Sequence, residues 1–266
     1  MTDLDLQYQH LELRRAEDLL WVTLNNAERA NALSPPLLAE LTDLYRRPLR
    51  DLGVRAVLLS GAGKHFSAGA DLGHLRSLLD ASADDNLEDS RRLRGLFEAV
   101  LRQEALTIAL VHGSCVAGGC GLATAHDFVV AAEDAKFLYS EVKIGFVAAL
   151  VATYLPLRVR GSDLRELLLF PQLLSADRAL SIGLVNRVVP RDELHAAGEK
   201  LAVDILTNAS SESIARTKRL LLDVIGRPLD DALSRATEAN AASRATADCK
   251  HGIATFLETK KPVVWR

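Results

Sequence analysis

Residues Val111 to Asp127 read VHGSCVAGGCGLATAHD. The stretch begins at the end of an apolar run, TIALV, whose composition predicts a buried strand. It ends in LATA, a small-residue run that predicts a helix packed close to its neighbours. Between them stands Ala117-Gly118-Gly119, and glycines at a strand-to-helix turn let the backbone approach a ligand closely. The first N–H groups of a helix have no partner within it, and the helix dipole adds partial positive charge there. Such a turn serves close helix–strand packing, or it holds an oxygen that becomes anionic during a reaction. A phosphate loop is excluded because no Gly-Lys-Ser/Thr ends the turn. The spacing of Gly118, Gly119 and Gly121 also misses the dinucleotide-binding fingerprint.

A second turn of the same kind lies upstream. Val54 to Ser60, VRAVLLS, predicts a buried strand, and Gly61 to Leu72, GAGKHFSAGADL, follows it. Ala68, Gly69 and Ala70 are small enough for close backbone approach. Asp71 stands where an acid favours a helix start. His65 and His74 flank the turn as solvent-facing residues without an assigned role. Further upstream, Leu6 to Arg15 and Leu19 to Leu24 predict strands, NNAERANAL (Asn25 to Leu33) a loop, and Ser34 a cap for the helix PPLLAELTDLYRRPL. Strand, helix and strand in this order predict parallel pairing with right-handed crossovers.

Downstream, DFVVAA (Asp127 to Ala132) predicts another strand, followed by AKFLYSEVKIGF. Glu141 lies there in a mostly apolar setting. It is either a surface residue or a carboxylate with a raised pKa suited to proton transfer. Lys143 is expected to face solvent. Val147 to Gly161 predicts mostly helix with a kink or restart at Pro156, and helices are expected over Leu164 to Phe170 and Ser175 to Gly183, with LVNRVVP as a short strand. Leu78 to Gln103 is acidic, then amphipathic; the acidic part is a mobile loop or a helix start. From Asp192 onward the pattern is helix after helix, whose apolar faces need the chain's own body or a neighbouring subunit.

With 266 residues, 48% of them hydrophobic, the chain can bury a large core. With a net charge of −3, no global basic surface suggests nucleic acid. Three cysteines without metal-like spacing fit a reducing cytosol, and no apolar run is long enough to span a membrane. A cytoplasmic protein is therefore expected. No internal repeat, metal-ligand cluster or Ser-His-Asp grouping is readable.

NNAERANAL, HFSAGADL and VHGSCVAGGCGLATAHD, in that order, together resemble the enoyl-CoA hydratase/isomerase (crotonase) family. The resemblance runs from about Leu19 to the C-terminus. It implies an α/β fold: a spiral of ββα units over residues 1–191, carrying the CoA and active sites, and a helical trimerisation region over residues 192–266. It implies that the backbone N–H groups of Ala70 and Gly118 hold a thioester oxygen as charge builds on it, and that Glu141, in SEVKIG, is the catalytic acid/base. It places Arg29, Ala30, Ala68, Asp71 and Leu72 along the CoA site. It also brings Phe256, with Lys260 and Lys261 beside Thr259, towards CoA across a trimer interface; the two lysines read equally as a solvated basic tail. The implied substrate is an acyl-CoA of fatty-acid metabolism, in a trimer or dimer of trimers, without metal or other cofactor. Hydratases of this family use two glutamates, and the second position falls on Gly121. A hydratase is the main expectation; an isomerase working with one carboxylate, or a non-catalytic CoA-binding protein, is the alternative. Phe146 to Ala149 stand where a Pro-Gly-rich turn is usual in the family.

Overall fold

The central strands of the principal sheet carry two apolar faces, and both are covered. The computed structural model of the chain describes residues 6–266. β1 (Leu11–Ala16) pairs antiparallel with β2 (Leu19–Leu24). From β2 the sheet continues in parallel through β3 (Ala56–Gly61), β4 (Leu106–Val111), β6 (Phe128–Ala132) and β9 (Arg187–Val189). Successive side chains point to opposite faces. Leu19, Trp21, Leu58, Ile108 and Val130 meet α7 (Leu194–Asn208). Leu20, Val22, Leu59, Ala109 and Val129 meet a layer that includes α1 (Pro35–Arg46), α3 (Ala83–Arg102) and α4 (Gly118–Ala125). Burial on both faces is why these strands read as unbroken apolar runs.

A second, smaller sheet joins β5 (Ser114–Val116), β7 (Lys136–Leu138) and β8 (Leu174–Ser175). Parallel bridges extend it, Ser67 to Cys115 and Leu33 to Ala70. The chain therefore repeats one path: a strand of the large sheet, a corner, a short piece of the small sheet, then a helix start. β2 leads through Leu33 to α1, and β3 through Ser67–Ala70 to α2 (Leu72–Ser77). β4 leads through β5 to α4, and β6 through β7 to a 3-10 turn at Glu141–Ile144. This is the expected spiral. The middle small-sheet pieces are parallel neighbours, so the residues that follow them, Ala70, Gly118 and Glu141, emerge at one edge.

Several local expectations change. The first strand starts at Leu11 rather than Leu6, because the Gln9 and His10 N–H groups donate to the Glu40 carboxylate instead of a ladder. Ser34 occupies the cap position of α1 without a side-chain capping bond. The acidic stretch is a helix start: Ser82 and Asp85 form a reciprocal capping box and α3 runs unbroken to Arg102. Val147 to Gly161 is not mostly helical. It holds only 3-10 turns at Val151–Thr153 and Leu155–Leu157, with Pro156 barring a continuous ladder, and Gly161 opens α5 (Gly161–Leu169) instead of closing a helix. α6 (Ala176–Ser181) is capped by Ser175 as expected.

Beyond α7 come α8 (Ser211–Val224), α9 (Leu229–Arg244) and α10 (Ala247–Thr259). α8 is tied to the body by Lys218, whose ammonium lies 2.6 Å from the Asp127 carboxylate and donates to the Ala105 carbonyl. α9 and α10 bury no residue fully and leave Leu229, Leu233, Ile253, Phe256 and Leu257 exposed. No helix among the described residues is long and apolar enough to cross a membrane.

Candidate active site

Two turns meet at the edge of the small sheet. In the first, Gly69 has φ +84°, and a Cβ there would stand 2.6 Å from the Val116 carbonyl oxygen and 3.3 Å from the Gly118 nitrogen. Only glycine allows both this backbone and this approach. In the second, Ala117 takes φ +46°, which swings the chain from β5 into α4. The turns are stitched together by Ser67 N–H donating to the Ser114 carbonyl and Val116 N–H to the Ser67 carbonyl. Ala117 N–H donates to the Leu138 carbonyl at 2.7 Å, which ties the second turn to the strand leading to Glu141. Among the described residues, the N–H groups of Ala70 and Gly118 have no acceptor. Two uncommitted amides on abutting turns, one opening a helix, form a pair of donors for an oxyanion.

The first loop braces this arrangement. Asn31 is fully buried at φ +52°. Its side chain donates to the Ala62 and His65 carbonyls and accepts the Asn26 N–H. The Ser67 hydroxyl donates to the Asn31 carbonyl and accepts the Gly69 N–H. At the far end of α4, Arg158 donates to the Thr124 and His126 carbonyls. A cation there satisfies open carbonyls and opposes the negative end of the helix dipole. Neither Asn31 nor Arg158 is singled out by the sequence; a buried loop asparagine and a half-buried arginine declare themselves only through their partners.

Glu141 opens its 3-10 turn half-buried, and its Oε2 is buried without a hydrogen-bond partner among the described residues. Burial pushes its pKa above the usual glutamate value, while the Glu141 and Ser140 backbone N–H groups pull it part of the way back. A carboxyl with one orphan oxygen and a raised pKa is suited to taking and returning a proton.

The other sequence-predicted residues divide. The Arg29 guanidinium lies 3.3 Å from the Asp71 carboxylate. Asp71 caps α2 through the His74 N–H, which holds its carboxyl below the usual range, with Arg29 adding to the effect. Ala30 sits at φ +48°, and its carbonyl accepts the Ala68 N–H, so Ala68 is committed within the scaffold. Leu72 is exposed, as is Lys143. Phe256 and Lys260 lie at the end of α10, and no hydrogen bond, ion pair or ring contact among the described residues joins them to the two turns. The histidines are not idle: His65 Nδ1 accepts the Ser114 N–H, and His74 Nε2 stands 2.6 Å from Asp89, linking α2 to α3.

Gly121, one turn into α4, is walled in. A Cβ there would meet Phe97 Cζ at 2.7 Å and Val151 Cγ1 at 2.8 Å. The Tyr154 hydroxyl donates to the Gly121 carbonyl at 2.9 Å, and the Tyr154 ring packs edge-on against Phe97. A glutamate at 121 could serve hydration only where its side chain fits, and two buried side chains already occupy that space. Gly121→Ala alone is expected to cost about 1–3 kcal/mol through overpacking, checked by the denaturant midpoint at unchanged m.

A sequence model of the enoyl-CoA hydratase/isomerase family matches residues 14–266. A Thermus thermophilus protein named "Putative enoyl-CoA hydratase" is 43% identical over 91% of this chain and 95% of its own. A mitochondrial Delta(3,5)-Delta(2,4)-dienoyl-CoA isomerase of Dictyostelium discoideum is 30% identical over 97% of this chain and 92% of its own. The crystal structure of a Mycobacterium smegmatis enoyl-CoA hydratase superposes with a TM-score of 0.88 at 31% identity, covering 96% of this chain and 98% of that one. On sequence and fold alike, the chain belongs to the enoyl-CoA hydratase/isomerase family.

Proposed function

We propose that this enzyme adds water to the double bond of a trans-2-enoyl-CoA thioester. The observation that carries the reading is the half-buried Glu141 carboxylate, with its unpartnered oxygen, at the same sheet edge as two acceptorless amides. The Ala70 and Gly118 N–H groups hold the thioester oxygen as it becomes anionic, each donor being worth about 3–4 kcal/mol in the transition state. Glu141 takes a proton from water as the water oxygen bonds to the β-carbon. The double-bond electrons move into the enolate, and Glu141 returns the proton to the α-carbon. Arg29, Ala30, Asp71 and Leu72 line the CoA side. The chemistry draws on the chain and the thioester alone. The names of the Thermus and Mycobacterium relatives support this reading. Its test is formation of a 3-hydroxyacyl-CoA from crotonyl-CoA.

The carboxylate must be ionised to accept the first proton. kcat/KM is therefore expected to rise with pH through a limb whose midpoint lies above the ordinary glutamate value of about 4.3, because burial raises the Glu141 pKa. A pH–rate profile checks this.

One observation favours a second reading. With Gly121 walled in, the site offers one carboxylate, and one suffices to move a double bond: it takes a proton from C2 of a 3-enoyl-CoA and returns it to C4 of the dienolate. The dienoyl-CoA isomerase relative fits this reading.

The exposed apolar faces of α9 and α10 support assembly into trimers or dimers of trimers, with Phe256 and Lys260 reaching a neighbour's CoA. Equilibrium sedimentation at micromolar concentration is expected to show such an assembly; a stable monomer would rule it out.

A further inference from the structure

We infer that Phe97 and Val151 are specificity-determining residues: they form a dry wall that sets how Glu141's proton traffic divides between water and carbon. The inference rests on the enolate chemistry proposed above. Gly121 follows Gly118 by three residues on α4, so the two share a helix face, and whatever stands over Gly121 stands beside the oxyanion donors. Phe97 comes from α3 and Val151 from the 3-10 turn, and each is nearly fully buried. Phe97 Cζ and Val151 Cγ1 converge on the space where a side chain at 121 would begin. Tyr154 closes the back of the wall, its ring edge-on against Phe97, and the Ala117 N–H bond to the Leu138 carbonyl ties the start of this helix to the strand that leads to Glu141.

A water that is to attack carbon must be held by two or more polar partners. Behind this wall the Tyr154 and Thr124 hydroxyls spend their protons on helix carbonyls. Tyr154 donates to the Gly121 carbonyl, and Thr124 donates to the Cys120 carbonyl. Phe97 and Val151 offer only carbon. The wall gives a water no polar group to lean on, so Glu141 has to aim the water as well as deliver the proton. A proton taken from carbon needs no such helper. The wall thus sets the ratio of double-bond migration to hydration, and the missing second carboxylate is part of a packed apolar arrangement rather than an empty place awaiting one.

The test compares two rates in each protein: hydration of crotonyl-CoA and double-bond migration in a 3-enoyl-CoA. Phe97→Ala and Val151→Ala are expected to raise the hydration-to-migration ratio by about tenfold or more, a small part of the about 10²–10⁴ that a positioned acid/base supplies. Phe97→Leu, which leaves less of a gap, is expected to fall between wild type and Phe97→Ala. Should Phe97→Ala fail to fold, Phe97→Leu and Val151→Ala decide the matter. Adding Gly121→Glu to either alanine variant is expected to raise the ratio further, whereas Gly121→Glu alone is not. A ratio unchanged in folded variants that retain migration would overturn the wall's role while leaving the Glu141 chemistry standing. Absence of both reactions in the wild type would instead overturn the reading beneath it.

Discussion

Replacing Glu141 by glutamine is expected to lower kcat by about 10²–10⁴-fold with acyl-CoA affinity retained. The amide keeps the shape of the carboxylate and cannot shuttle the proton. The variant is expected to be at least as stable as wild type. Burial raises the folded-state pKa of Glu141, so the stability this group contributes is fully present below its unfolded pKa and is lost as pH rises through the folded one. Above the folded-state pKa the wild type carries a charge that folding disfavours, and the neutral amide removes it. Loss of turnover in a protein of undiminished stability separates a chemical role from a structural one. Turnover within a few-fold of wild type would remove Glu141 from the mechanism.

Gly69→Ala is expected to fail differently. Its methyl would stand 2.6 Å from the Val116 carbonyl oxygen, on a backbone with φ +84°. The strained backbone alone costs about 1–3 kcal/mol. The contact then pushes the Ala70 turn away from the Gly118 turn and opens the donor pair. Losing one oxyanion donor lowers kcat by about 10²–10³-fold. Both the unfolding midpoint and kcat/KM are thus expected to fall, the latter by far more than the unfolded fraction explains. Full activity in a folded Gly69→Ala protein would mean that the spacing of the turns does not matter.

Much of this scaffold was legible before any coordinates. LLWVTL is β2 residue for residue, and the LATA run falls in α4, because strands buried on both faces and close-packed helices leave plain compositional marks. Legibility failed where structure depends on distant partners. Gln9 and His10 leave the sheet because Glu40 lies within reach. The segment after Gly145 looks helical by hydropathy, yet it forms short turns that place Val151 and Tyr154 against Gly121. The absence of a side chain at 121 is visible in the sequence. That Phe97 and Val151 fill its place is not, since neither is near it in the chain and each reads as an ordinary core residue.

The most direct test of a single-carboxylate enolate mechanism is turnover of crotonyl-CoA by the wild-type protein in deuterated water, with the product read by NMR and mass spectrometry. The mechanism predicts 3-hydroxybutyryl-CoA carrying deuterium at C2, delivered by Glu141. Tight binding of crotonyl-CoA with neither hydration nor deuterium at C2 or C4 would contradict it.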